Sequence, residues 1–173
     1  IKKNKSEPWK VSLIDTGENT MTGGRILKLK NTLKKEKNFF LTYGDGVSNI
    51  NLKKLKSFHF KNNKIASVSV VKPLGRYGMI DLHKNNLVKT FAEKPDGDGS
   101  WVNGGFFIFN QKIFNFLDKF SDILEQGPIQ KISKRGQLAA FKHLGFWKAM
   151  DTLNDRNYLE SLWMKSNCPW KIW

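Results

Sequence analysis

The stretch NFFLTYGDG, Asn38–Gly46, begins as an apolar strand pattern and stops abruptly at glycine and aspartate. Further along, IASVSVVK, Ile65–Lys72, is apolar and β-branched, which is the composition of a strand covered on both faces. Between them, Asn51 is placed to cap a helix whose apolar residues recur at helical spacing. Strand, helix and strand in alternation predict an α/β fold with a mostly parallel sheet.

The rest of the chain continues this alternation. No internal repeat, low-complexity segment or linker interrupts it, so one domain over residues 1–173 is expected. Further strands are predicted at Trp9–Asp15, in RYGMIDL and LVKTFAEKP, in WVNGGFFIFN, and twice in QLAAFKHLGFWKAMD. Further helices are predicted over residues 26–33, from Ile113–Leu117, at Pro128–Lys134 and through Tyr158–Trp163.

Composition limits the class of protein. With 173 residues, of which 39% are hydrophobic and 13% aromatic, the chain can bury a core, which excludes wholesale disorder. No apolar run approaches the ~18 residues that a membrane-spanning helix needs. The lone cysteine, Cys168, cannot form an internal disulfide, which points to a reducing compartment and predicts a cytoplasmic protein.

The formal net charge of +15 is the feature that suggests a nucleic-acid partner, because cationic residues that bind a polyanion release its counterions, which favours binding. However, only four of the thirty cationic residues are arginine, the residue that reads bases and phosphates with a planar fork. The lysines are scattered, which favours a solvated surface. A basic nucleic-acid-binding module is the alternative of a different class. A P-loop hydrolase is not expected, because no Walker-type Gly-Lys-Ser/Thr is present.

Two aspartates stand at the ends of predicted strands. Asp45 lies between Gly44 and Gly46, and Asp151 follows the apolar segment GFWKAM. In open α/β sheets ligands bind beyond the carboxyl ends of strands, and two carboxylates from separate strand ends can hold one Mg²⁺. The alternatives are structural, since Asp45 can belong to a glycine-rich turn and cap the following helix, and Asp151 can cap the helix that follows it.

Two further segments carry residues suited to a sugar phosphate or a nucleotide. In AEKPDGDGSWVNGG, Glu93 can accept hydrogen bonds from sugar hydroxyls, Lys94 can neutralise a phosphate, and Asn103 offers a donor and an acceptor. The alternative there is a surface turn followed by a bulged strand. TMTGGR, Thr20–Arg25, offers a hydroxyl, bare backbone amides and a guanidinium, although a glycine-rich loop is weak evidence alone.

In this order, the motifs resemble those of a known family, the glucose-1-phosphate cytidylyltransferases, which are sugar-nucleotide pyrophosphorylases. The resemblance runs from Glu7 to Trp173. TMTGGR together with the PWK ending resembles the cytidylyl branch rather than the thymidylyl or uridylyl relatives. The matching pieces are EPWKVSLIDTGENTMTGGR, FFLTYGDGVS, GRYGMIDL, FAEKPDGDGSWVNGGFFIF, GFWKAMDTLNDRNYLE and PWKIW.

The resemblance implies a Rossmann-like mixed sheet flanked by helices, and transfer of a cytidylyl group from CTP to glucose 1-phosphate with release of pyrophosphate. It implies Mg²⁺ held by Asp45 and Asp151, with these two residues and Lys94 as the catalytic groups. The residues implied at the nucleotide are Thr20, Gly23, Gly24, Arg25, Gly44 and Asp45, and those implied at the sugar phosphate are Gly78, Glu93, Lys94 and Asn103.

The resemblance also implies a role in making deoxysugars for bacterial surface polysaccharides such as lipopolysaccharide, in a homo-oligomer, with no nucleic-acid or membrane partner. A relative that uses UTP or dTTP is the alternative within the same superfamily. The family's amino-terminal glycine-rich loop, with its Arg and Lys, has no counterpart in this sequence. We therefore expect a domain without its first βαβ units, and no activity from these 173 residues alone.

Overall fold

The computed structural model describes residues 9–73, 79–92 and 100–172. Its helices and strands follow the predicted alternation closely. The helices are α1 (Thr22–Lys28), α2 (Leu52–Asn62), α3 (Pro128–Lys134) and α4 (Leu153–Met164), with a short 3-10 helix at Gln111–Phe116. The strands are β1 (Asn38–Thr42), β2 (Gly46–Ser48), β3 (Ala66–Val71), β4 (Met79–Leu82), β5 (Val88–Ala92), β6 (Val102–Asn110), β7 (Leu138–Lys142) and β8 (Trp147–Ala149).

The main sheet has four strands in the order β1-β6-β3-β7. β3 and β7 are parallel, whereas β6 runs antiparallel to both of its neighbours. Three strands therefore point in one direction and β6 alone is reversed. This confirms the predicted mixed sheet, in which β3 and β7 form the parallel pair. β2 pairs with β8, and β4 pairs with β5, in two small antiparallel ladders.

Successive side chains of β6 point to opposite faces of the sheet, so β6 contributes to a core on each face. Phe107 and Phe109 stack on each other and join the larger core beneath α1, α3 and the 3-10 helix. Ile108 points to the other face, where it packs with Leu55 of α2. The sheet is thus enclosed by helices on both faces, as the apolar composition of IASVSVVK predicts.

The starts of α2 and α4 are fixed by side-chain caps. The Asn51 side chain accepts a hydrogen bond from the Lys54 N–H at 2.9 Å and caps α2, as predicted. At α4, Thr152 and Asp155 form a reciprocal capping box. Neither Asp45 nor Asp151 is the capping residue of the helix that follows it, which removes the structural alternative proposed for Asp151.

Three predicted elements differ from the structure. The strand predicted at Trp9–Asp15 is wrong, because this segment has no strand partner within the described residues and Leu13 is 95% exposed. The helix predicted over residues 26–33 begins earlier, at Thr22, and ends at Lys28. The helix predicted from Ile113–Leu117 is a 3-10 helix that starts at Gln111. No helix within the described ranges is long and apolar enough to cross a membrane.

Candidate active site

The carboxyl ends of three strands of the main sheet, β1, β3 and β7, lie at one edge. β1 ends where Thr42 pairs with Phe106, and β3 ends where Val71 pairs with Val102. Because β7 is parallel to β3, its carboxyl end reaches the same edge. This is the edge at which open α/β sheets bind ligands, as the sequence analysis expects.

Asp45 and Asp151 are brought to neighbouring positions by the β2–β8 ladder. Gly46 pairs with Ala149, and the N–H of Met150 donates to the carbonyl oxygen of Asp45 at 2.8 Å. The two aspartates are 106 positions apart in the sequence, and the pairing of β2 with β8 brings their backbone segments together. Asp151 also interacts with another group of this chain, so it is not without a partner.

The glycines on either side of Asp45 leave space on the surface. A Cβ built at Gly44 or Gly46 would meet no atom within 4 Å, and neither glycine has a positive φ. Packing and backbone conformation therefore do not require glycine at either position. A bare backbone beside Asp45 suits the close approach of a bulky ligand.

Asn103 is positioned by a β-bulge at the start of β6. The register between β3 and β6 shifts at Val68/Val70, and Gly105 has a φ of +79°. The Gly105 N–H donates to Asn103 Oδ1 at 2.9 Å, which fixes the side-chain amide of Asn103. The alternative of a bulged strand is thus realised, and the bulge aims Asn103 at the shared edge.

Gly23 and Gly24 have a structural role in α1. A Cβ at Gly24 would lie 2.0 Å from the carbonyl oxygen of Phe120, and one at Gly23 would lie 2.8 Å from that of Asp122. Both backbone N–H groups donate to the Asp122 carbonyl, at 2.8 and 3.2 Å. The geometry gives these glycines a packing role and no opening for a base, so their nucleotide contact stays a prediction.

The two remaining nucleotide residues are also engaged within the chain. Arg25 donates to Thr16 Oγ1 at 2.6 Å and to the Glu18 carbonyl, and thereby holds the loop before α1. Thr20 is only 8% exposed. Contact of either residue with a nucleotide stays a prediction, and a contact by Arg25 would need its guanidinium to turn away from the 16–18 loop.

Glu125 is a site residue that the sequence analysis missed. One carboxylate oxygen accepts a hydrogen bond from the hydroxyl of Tyr43, which directly precedes Gly44 and Asp45. The other accepts from Thr22 Oγ1 at 3.1 Å. Burial and the neighbouring Glu125 carboxylate raise the pKa of Tyr43 above its ordinary value, so its hydroxyl remains a donor. Glu125 follows no recognisable motif, and its partners are distant in sequence.

Two cations and an aromatic ring also lie at this edge. The ammonium groups of Lys72 and Lys142 each lie 5.3 Å from the centre of the Trp101 ring. An apolar cavity of about 270 Å³ opens beside them, and its polar lining residues are Asn103 and Glu125. The sequence alone does not show that the two lysines converge on Trp101, because Lys72 and Lys142 are distant from it in the chain.

Gly78, Glu93 and Lys94 lie outside the described residues, so their predicted roles at the sugar phosphate stay predictions. Within residues 9–73, 79–92 and 100–172 there is no group of three or more His, Cys, Asp or Glu side chains that could hold a metal ion. The role of Asp45 and Asp151 as Mg²⁺ ligands therefore stays a prediction.

A layered α/β fold with two aspartates at its ligand-binding edge is typical of enzymes that act on nucleotides. The chain belongs to the nucleotidyl transferase family, whose sequence model matches residues 3–153. It is 43% identical over 167 residues to the glucose-1-phosphate cytidylyltransferases of Salmonella typhimurium and Salmonella typhi. These matches cover 96% of this chain and 65% of each relative, so the chain spans about two thirds of their length.

The fold is also that of a solved structure. HddC from Yersinia pseudotuberculosis superposes with a TM-score of 0.57 at 19% sequence identity, covering 82% of this chain and 61% of that protein. At this identity the similarity concerns the fold alone. It confirms the Rossmann-like architecture expected from the sequence.

Proposed function

We propose that the full-length gene product containing these 173 residues transfers a cytidylyl group from CTP to glucose 1-phosphate. The observation that carries the proposal is the pairing of the two segments that carry Asp45 and Asp151, which extends to the hydrogen bond from the Met150 N–H to the Asp45 carbonyl. The choice of CTP and glucose 1-phosphate is supported by the names of the Salmonella relatives.

The reaction is an in-line displacement at phosphorus. A phosphate oxygen of glucose 1-phosphate attacks the α-phosphorus of CTP and forms the new P–O bond. The bond from the α-phosphorus to the oxygen that bridges the α- and β-phosphates breaks, and pyrophosphate leaves with that electron pair. Such transfers depend on positioning and on electrostatic stabilisation rather than on covalent chemistry by the protein.

The described residues can supply that positioning. The open backbone at Gly44 and Gly46 admits the nucleotide phosphates beside Asp45, and the Asn103 amide, held by Gly105, faces the same edge. Lys72 and Lys142 contribute positive charge there. We propose that Lys94, Glu93 and Gly78 complete the sugar-phosphate side.

The carboxylates of Asp45 and Asp151 fit Mg²⁺, which in phosphate-transfer sites is bound by one or two carboxylates together with substrate phosphates. We propose these two residues as its protein ligands. When bound, the ion would supply charge neutralisation at the phosphate oxygens.

Replacing either aspartate tests the metal assignment. Asp45→Ala and Asp151→Ala are each expected to abolish Mg²⁺-dependent pyrophosphate release, because each variant loses one of the two proposed carboxylate ligands. Thermal unfolding is expected to change little, since both residues are exposed. Asp118→Ala is a matched control, because that aspartate is exposed and its salt-bridge partner is Lys131. Near-normal turnover by either site variant would overturn the assignment.

Nucleotide choice is tested by separate assays with CTP, UTP and dTTP, each with glucose 1-phosphate. We expect turnover with CTP to exceed that with the other two nucleotides. A preference for UTP or dTTP would keep the reaction class and replace the named substrate. No pyrophosphate release with any of the three would contradict the proposal itself.

The setting of the reaction is proposed on the same basis. We propose that the protein works in the cytoplasm as a homo-oligomer, without a nucleic-acid or membrane partner. Its CDP-glucose would serve as a precursor of deoxysugars in bacterial surface polysaccharides, lipopolysaccharide among them. Size-exclusion chromatography with light scattering tests the oligomer, and a monomeric mass would contradict it.

A further inference from the structure

Three segments that the sequence analysis treated separately are joined by Glu125. Thr22 at the start of α1 and Tyr43 after β1 both donate to its carboxylate. Tyr43 in turn lies 3.5 Å from Asn103 Nδ2 at the start of β6. The Leu124 N–H donates to Thr22 Oγ1 at 2.9 Å, so α1 is fixed to the Glu125 segment by two bonds at one threonine.

The direction of these hydrogen bonds depends on a carboxylate at position 125. An ionised glutamate only accepts, so it compels the Tyr43 hydroxyl to donate its single proton towards Glu125. The lone pairs of the Tyr43 oxygen then face the Asn103 amide, whose Oδ1 is already occupied by the Gly105 N–H. The orientation of the Asn103 amide is therefore set by contacts at both its nitrogen and its oxygen.

The same contacts constrain the turn that carries Asp45. The Tyr43 N–H donates to the Gly105 carbonyl at 3.2 Å, and a Cβ at Gly105 would lie 3.0 Å from the Tyr43 ring. Tyr43 is thus held at its backbone, its ring and its hydroxyl. A residue held at three points fixes the start of the Gly44–Asp45–Gly46 turn.

We propose that Glu125 is a positioning residue of the transfer site. Through Tyr43 it orients Asn103 and the Asp45 turn, and through Thr22 it fixes the start of α1. This inference rests on the proposed function. Glu125 acts on other protein groups and is not itself assigned a contact with substrate.

Two substitutions in the full-length protein test the link to Asn103. Glu125→Gln keeps the shape but adds an amide donor, so it cannot satisfy both hydroxyl donors as the carboxylate does. Tyr43→Phe removes only the hydroxyl. We expect each to raise the KM for glucose 1-phosphate about ten- to hundredfold, the range found when residues that orient metal ligands are removed. The KM for CTP is expected to change less in Tyr43→Phe.

A double-mutant cycle separates positioning from a merely structural role. If Glu125 acts through Tyr43, the double variant is expected to show nearly the same KM for glucose 1-phosphate as the single variants. Glu160→Gln, on the exposed face of α4, is the matched control and is expected to leave both KM values unchanged. Additive effects, or a lower unfolding temperature with wild-type KM values, would overturn the inference.

The wild-type assay distinguishes this inference from the proposed function. A wild-type protein that releases pyrophosphate, together with a Glu125→Gln variant of unchanged kinetics, would refute the role of Glu125 alone. A wild-type protein inactive with CTP, UTP and dTTP would refute the proposed function and, with it, the role assigned here. Because Tyr43→Phe removes one oxygen atom, it remains informative if Glu125→Gln does not fold.

Discussion

Gly24 and Gly44 are glycine for different physical reasons. At Gly24 a side chain would meet the backbone of Phe120, which cannot move out of the way as a flexible side chain can. At Gly44 a side chain would meet nothing within the chain. Both were predicted at the nucleotide, because the sequence does not show which atoms surround a glycine.

This difference predicts that alanine at position 24 lowers stability, whereas alanine at position 44 weakens nucleotide binding. Gly24→Ala is expected to lower the free energy of unfolding by about 1–3 kcal/mol or more, as overpacking does. Gly44→Ala is expected to leave stability within about 0.5 kcal/mol and to raise the KM for the nucleotide. Urea unfolding and steady-state kinetics measure the two effects. A destabilised Gly44→Ala with an unchanged KM would show that the surface beside Asp45 does not face a ligand.

At the scale of elements, the start of α4 shows how local pattern and tertiary contact combine. The capping box joins Thr152 and Asp155, and Lys148 of β8 adds an ion pair to Asp155 with its ammonium nitrogen 2.5 Å from the carboxylate. The Lys148 hydrogen bond, followed by that of Thr152, lowers the pKa of Asp155 from 3.8 to about 2. This one carboxylate thereby ties α4 to the strand that leads to Asp151.

The lowered pKa of Asp155 predicts a dependence of stability on acid. Because the folded pKa lies below the unfolded value of 3.8, the contribution of Asp155 is present above about pH 4 and is lost as pH falls towards about 2. Asp155→Asn is therefore expected to be less stable than the wild type at pH 7, with the difference shrinking as the pH falls through this window. Urea midpoints at several pH values measure it, with Asp118→Asn as the control. A difference independent of pH would show that the ionised carboxylate contributes nothing.

Elements with local start and stop signals were predicted well, whereas the strand predicted at Trp9–Asp15 failed for want of a distant partner. Pro128–Lys134 was predicted with the bounds that α3 has, since proline at its start and glycine after its end are both local. Trp9–Asp15 alternates like a strand, yet alternation does not supply the neighbouring strand that a ladder requires. Asp45 and Asp151 were predicted as site residues because each follows an apolar run, whereas Glu125 has no such neighbour and its proposed role depends on contacts with Tyr43 and Thr22.

At the scale of the whole molecule, the net charge of +15 is the feature that fits least with a small-molecule site. Part of it has local partners, since Lys148 is paired with Asp155 and Lys131 with Asp118. Lys72 and Lys142 lie over Trp101 at the ligand-binding edge. These four lysines thus lie in separate local settings.

This distribution predicts weak and purely electrostatic retention by nucleic acid. We expect binding to duplex DNA at about 20 mM salt and its loss near 150 mM, because sequence-independent contacts weaken steeply as counterions are added. Gel-shift titrations with two unrelated duplexes at both salt concentrations test it. Tight binding at the higher concentration, or preference for one duplex, would favour the nucleic-acid-binding alternative.

The contacts between α1 and the segment around Asp122 also set the order in which a nascent chain can acquire this structure. α1 has seven residues, too few for a helix to persist alone in water, and its anchors at Phe120, Asp122 and Leu124 are about a hundred positions later. During synthesis from the amino terminus, α1 therefore cannot form these stabilising contacts until Leu124 has left the ribosome. Until then Ile26, which is 4% exposed in the finished fold, is available to chaperones.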